Sequence, residues 1–185
     1  MARLDALGVC GARFNIGRRY QENHPRDAVM RAIARVREIG WHVRLHVTGD
    51  DIVADSAFLK SIRDITVVVD HMGHLNLALG LDQPACRWLI DMVKNAGWWM
   101  MLSNGNRDSR MESGWDDAVP FGRAYVEAAP ERMIWGSDWP HVNWRKRMMN
   151  DAETVELLYR YVDNDQGLLR KILVANPARL HRFDD

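Results

Sequence analysis

Five groups of chemically capable side chains recur at one kind of place in this sequence, at or just past the end of an apolar, strand-like run. They are Arg13 with Asn15, His46, His71, Asn104 with Arg107, and Asp138. The run "ERMIWGSD" delivers Asp138 straight into Trp139-Pro140, and a residue before proline is held to extended backbone. A carboxylate in such a rigid, partly apolar frame suits either a metal ion or a proton transfer. A turn or helix-capping aspartate is the plain alternative.

The histidines and arginines extend that chemistry. His71 follows "VVVD", and strand alternation sends Asp70 and His71 to opposite faces, so a site-facing His71 leaves Asp70 toward the covering helices as a cap or loop anchor. Arg44 and His46 share one face, Leu45 and Val47 the other. Each histidine is either a satisfied core group or a ligand. Arg13 and Arg19 flank the turn "NIGRR", and Arg107 sits in "SNGNRDS". An inward-facing arginine needs an anion, and a carboxylate matches its planar fork. "WRKR" at 144–147 reads as a solvated loop, His24 as a helix-entry residue and Trp98 with Trp99 as packing. His42 lies at the wrong end of its strand for catalysis, while His74 and His181 have no identifiable partner.

These residues need a scaffold that gathers strand ends. Strand-like runs are "GARFNI" (11–16), "HVRLHV" (42–47), "ITVVVDHM" (65–72), "GWWMMLS" (97–103) and "ERMIWGSD" (131–138). Helical patterns lie between or after them. "PRDAVMRAIARVREIG" spaces Val29, Ile33 and Val36 on one face between Pro25 and Gly40; "PACRWLIDMVKNAG" places Leu89 and Val93 four apart; "DAETVELLYRYV" aligns Val155, Leu158 and Val162. Alternating strands and helices at this spacing predict a parallel sheet with helices outside. An open doubly wound sheet and a closed barrel both place functional groups at strand C-terminal ends, but a barrel brings every strand to one mouth. The barrel fits better.

Composition narrows the partners. With 185 residues and 47% apolar content, the chain is expected to fold as one domain over residues 1–185. Lys plus Arg equals Asp plus Glu at 25 each, so the balance gives no sign of a nucleic-acid or anionic-membrane partner. A small molecule is the expected one. Cys10 and Cys86 are too few and too separated for a disulfide framework and read as reduced, buried thiols, which favours the cytoplasm. No apolar segment reaches membrane-spanning length, and the N-terminus lacks a secretory apolar region.

"VVVDHMG", "WGSDWPH" and "NPARL" resemble the amidohydrolase-2 branch of the amidohydrolase superfamily, and "GARFNIGRR" resembles the 2-pyrone-4,6-dicarboxylate lactonases within it. The similarity runs from Gly8 to Phe183. It implies a (β/α)8 TIM barrel and hydrolysis of a small carboxylated lactone, as in aromatic degradation. By this resemblance Asp138 is the eighth-strand aspartate that ligates a metal or activates water, and His71 is the sixth-strand active-site histidine. Arg13 and Arg19 are the arginines that hold substrate carboxylates, with Arg107 near a third. His46 departs from the lactonases, which carry tyrosine there, and matches the histidine ligand of metal-dependent members. A zinc or manganese ion is therefore implied, although the nearest lactonases are metal-free. The family's first-strand His-x-His occurs nowhere in the chain. The resemblance thus implies a partial barrel, strands four to eight, that oligomerises or needs a complementing chain. A non-oxidative decarboxylase and a truncated, inactive chain are the alternatives.

Overall fold

The structure is a computed structural model that describes residues 1–17 and 24–183; Arg19 lies outside the described residues. Five strands, β1 (Gly11–Asn15), β2 (His42–His46), β3 (Val67–Val69), β4 (Trp99–Leu102) and β5 (Met133–Trp135), form one parallel sheet in the order β1-β2-β3-β4-β5. Neighbours in sequence are neighbours in space, with no reversal of order. Right-handed crossovers then place every connecting helix on the same face, whereas a doubly wound sheet would change direction at a switch point. The sheet is the predicted partial barrel, and among the described residues β1 and β5 each pair on one side only.

The helices follow the apolar periodicity. Helix α1 (Arg26–Glu38) starts after Pro25 and buries Ile33 and Val36, with Val29 packed at the margin. Helix α2 (Pro84–Asn95) buries Leu89 and Val93 completely, and its chain reverses at Gly97, whose φ of 74° favours a residue without a side chain. Helix α3 (Val119–Ala128) has no counterpart in the sequence reading. Helix α4 (Asp151–Tyr161) opens with a capping box between Asn150 and Glu153 and buries Leu158 as expected, but turns Thr154 and Leu157 inward rather than Val155. Helix α5 (Asn176–His181) ends the described helical structure.

Strand alternation divides the two faces. Val43, Leu45, Val67, Val69, Met100, Leu102 and Met133 face the helices in the main core. Each such side chain contributes about 1.5–3 kcal/mol when fully buried. On the other face, register pairs Arg13 with Arg44, Arg44 with Val68 and Val68 with Trp99. There Val68, Trp99, Met101, Ile134 and Leu180 form a smaller apolar cluster. The consecutive tryptophans both pack, as expected, but on opposite sides: Trp98 in the main core and Trp99 on the inner face.

Candidate active site

The C-terminal strand ends open into a cavity of about 600 Å³ that gathers Arg13, His46, His71, Asn104, Arg107 and Asp138. All the predicted site residues inside the described part of the chain therefore meet at one mouth. Arg44 and His74 join them there.

Asp70 lies beneath this mouth and corrects the sequence expectation. It faces the inside of the arc, fully buried, where Arg13 Nε donates to Oδ2 at 2.6 Å and Arg44 Nε donates to Oδ1 at 2.8 Å. The alternation argument fails because β3 ends at Val69, so His71 is no longer on a strand. Burial pushes the Asp70 pKa up, but the charge of Arg44 and the hydrogen bond from Arg13 outweigh it and leave the carboxyl below its ordinary value.

His71, Met72, Gly73 and His74 form a tight turn in which every φ is positive, at 53°, 51°, 75° and 44°. Left-handed backbone costs about 1–2 kcal/mol for each residue with a side chain, so packing must hold it. Met72 is 2% exposed, Tyr125 Oη donates to its carbonyl, and a Cβ at Gly73 would lie 2.4 Å from Leu89 Cδ1. The turn points His71 and His74 into the same mouth. Strain of this kind gathers at functional sites.

Three imidazoles result. The rings of His46, His71 and His74 have centroids 5.0–5.8 Å apart, and one nitrogen from each lies within 4.8 Å of the others. Each ring is oriented from behind. His71 Nδ1 meets Ser103 Oγ at 2.8 Å, His74 Nδ1 meets Asp108 at 3.0 Å, and His46 Nδ1 lies 3.0 Å from the Arg13 guanidinium. Burial pulls the His71 pKa down to about 4 against the opposing pull of Asp70 and Asp138, so the ring is neutral at neutral pH. Burial raises the Asp108 carboxyl, and the bond to His74 counters it.

Asp138 sits three residues beyond β5 with a φ of 63°, a left-handed conformation that aspartate tolerates better than most residues. Its Oδ2 accepts from Asn104 Nδ2 at 2.9 Å and faces Arg107 at 3.4 Å, while Oδ1 lies 3.6 Å from His71 Nε2. Arg107 also donates to the Val142 carbonyl and lies over the Trp144 ring, 5.2 Å from its centroid. The "WRKR" segment is therefore not merely solvated. Lys146 donates to the Arg107 carbonyl at 3.3 Å and Arg147 pairs with Glu153.

His74 is the residue that sequence reasoning missed. The signal present was the spacing His71-x-x-His74, which here brings both rings together through a left-handed turn. The arrangement offers a carboxylate and a neutral imidazole aimed at one point, three nitrogen donors, and guanidinium groups from Arg13, Arg44 and Arg107 around them.

A family model described as Amidohydrolase matches residues 1–183. Among characterised proteins, 4-sulfomuconolactone hydrolase from Hydrogenophaga intermedia is 34% identical over 183 residues, covering 97% of this chain and 60% of that protein. The 2-pyrone-4,6-dicarbaxylate hydrolase of Comamonas testosteroni is 32% identical over 190 residues, covering 98% of this chain and 62% of that protein. The chain thus spans about three fifths of the length of these relatives. A solved structure, a probable 2-pyrone-4,6-dicarboxylic acid hydrolase from Acinetobacter baumannii with citric acid bound, superposes with a TM-score of 0.78 at 23% identity, over 98% of this chain and 67% of that one. No helix among the described residues is long and apolar enough to cross a membrane.

Proposed function

The chain belongs to the amidohydrolase family, and on that premise we propose that its mouth hydrolyses a small lactone bearing carboxylate groups. The observation that carries this reading is the pairing of Asp138 Oδ1 with the neutral His71 Nε2 at 3.6 Å in an arginine-lined cavity. Relatives named for a muconolactone and for a pyrone dicarboxylate support the substrate class.

Two acceptors at that separation suit one shared water, which would donate a hydrogen bond to each. The mechanism uses the tautomer in which His71 Nδ1 donates to Ser103 Oγ, which leaves Nε2 as the acceptor. Asp138 then takes the proton as the water oxygen bonds to the lactone carbonyl carbon. The ring carbon–oxygen bond breaks as the tetrahedral intermediate collapses, and the proton on Asp138 passes to the departing ring oxygen. Arg13 and Arg107 hold the substrate's carboxylates by charge-assisted hydrogen bonds, fixing the carbonyl against the water. Arg19 is assigned the same role by resemblance and lies outside the described residues.

The donor set fits a divalent cation such as zinc or manganese, with His71 and His74 as holders, Asp138 beside them, and His46 as a third holder once its Nδ1 is released from Arg13. Such an ion, when bound, polarises a carbonyl and lowers the pKa of water.

The test is ring opening of 2-pyrone-4,6-dicarboxylate by the purified chain, followed by loss of ring absorbance, with Asp138→Asn as control. Turnover abolished in the variant is expected. Folded protein with no turnover of this or a sulfonated lactone would favour the inactive chain, and carbon dioxide release would favour a decarboxylase.

A further inference from the structure

A second group of donors stands at the opposite end of the sheet. Cys10 precedes β1, His42 opens β2 and His181 ends α5; one donor atom from each lies within 4.8 Å of the others. Cys10 Sγ and His181 Nδ1 are 3.6 Å apart, and the rings of His42 and His181 have centroids 5.4 Å apart. Two ligands on a tetrahedral zinc, with bonds of about 2.3 Å to sulfur and about 2.0 Å to nitrogen, stand about 3.5 Å from each other.

The site is built rather than incidental. His42 is 6% exposed, and its Nδ1 is buried with no hydrogen-bond partner among the described residues. Such an atom lacks the partner that buried polar groups normally have. Gly11, the register partner of His42, makes the room: a Cβ there would lie 2.3 Å from His42 Nε2. A cavity of about 290 Å³ is lined by Cys10 and His42 and bounded by Thr66, Arg179 and Arg182.

We propose that Cys10, His42 and His181 bind a zinc ion at the strand-start end of the sheet, apart from the histidines of the mouth. One thiolate and two imidazoles select zinc over magnesium or calcium, which take oxygen. Cys10 releases its proton to solvent on binding. The fourth position faces the cavity and takes water. Burial, then the charges of His181 and Arg44, draw the His42 pKa down to about 4, and burial lowers that of His181. Nearby guanidinium groups are directed at protein acceptors: Arg182 donates to the Gly40 carbonyl, and Arg179 donates to the Glu131 carbonyl and lies over the Trp99 ring. Arg44 is occupied by Asp70. The ion would join residues 171 positions apart in sequence, and the inference does not depend on what the mouth hydrolyses.

The experiment titrates the metal-free chain with cobalt(II) and reads the sulfur-to-cobalt charge-transfer band. No cysteine lines the mouth, so metal held there gives no such band. Expected are a band at saturating cobalt, its displacement by zinc, its loss in Cys10→Ser and His181→Gln, and its retention in Cys86→Ser and His74→Ala. Zinc should raise the unfolding temperature of His74→Ala but not, through this site, of Cys10→Ser/His74→Ala. Cooperative unfolding of each variant establishes that it is folded. A folded wild-type chain without the band at saturating cobalt, or a band that survives in Cys10→Ser, overturns the proposal.

Discussion

Ser103 and Asn104, consecutive residues after β4, hold the two halves of the proposed catalytic pair: Ser103 Oγ fixes His71 Nδ1 and Asn104 Nδ2 fixes Asp138 Oδ2. The gap of 3.6 Å between His71 Nε2 and Asp138 Oδ1 is therefore set from a single strand end. Both anchors are nearly inaccessible, at 5% and 4% exposure, so solvent does not compete for these bonds.

Replacing Asp138 with Asn keeps the shape of the side chain and removes the base. We expect kcat for the lactone to fall about a hundredfold to ten-thousandfold, with the melting temperature little changed. Initial rates and a thermal melt on the same preparation check both statements.

Ser103→Ala frees the rear nitrogen of His71 and lets the ring rotate away from the water. The expected loss in kcat is about tenfold to a hundredfold, with KM nearly constant because Ser103 does not reach the cavity. A rise in KM without a fall in kcat would remove Ser103 from this positioning role.

Arg13→Met removes a charge-assisted contact to a substrate carboxylate, which is worth about 1.5–3 kcal/mol. KM for a dicarboxylated lactone should rise while that for the uncharged parent ring does not. Comparing the two substrates on one variant separates lost binding from any weakening of the fold through Asp70.

Asp70→Ala leaves two partly solvated guanidinium groups without their buried partner and should destabilise the chain by about 1–3 kcal/mol at pH 7. The pH dependence has a definite sign. The folded pKa of Asp70 is depressed, so its contribution is present above the unfolded value of about 3.9 and is lost as pH falls through the folded one. Urea unfolding across an acidic pH series should show wild type and variant converging at the low end.

Zinc binding at the mouth can be isolated in a Cys10→Ser background. There, equilibrium dialysis should show bound zinc decreasing when His46 or His74 is replaced by Ala. Unchanged binding would exclude these rings as holders.

The sheet, its order and the mouth were legible because β-rich runs, helix periodicity and strand-end polar residues all point the same way. His46 followed from alternation within β2, which is a regular strand. Asp70 and His74 did not, since the chain leaves the strand at Val69 and enters a left-handed turn that only the packing of Met72 and Gly73 makes tenable. Cys86 is buried as expected, but Cys10 is only half-buried. Its proximity to His181 depends on the final helix folding back over the strand starts, which no local pattern encodes.

β2 carries His42, Arg44 and His46 on one face, so the two donor clusters are roughly 13 Å apart on a single strand and the grip on Asp70 lies between them. A shift of one residue in that strand would turn all three outward together. Single-residue insertions or deletions within residues 42–46 should therefore be far less tolerated than substitutions at any one of these positions. Such a change would dismantle both ends of the sheet at once while leaving the count of apolar residues almost untouched.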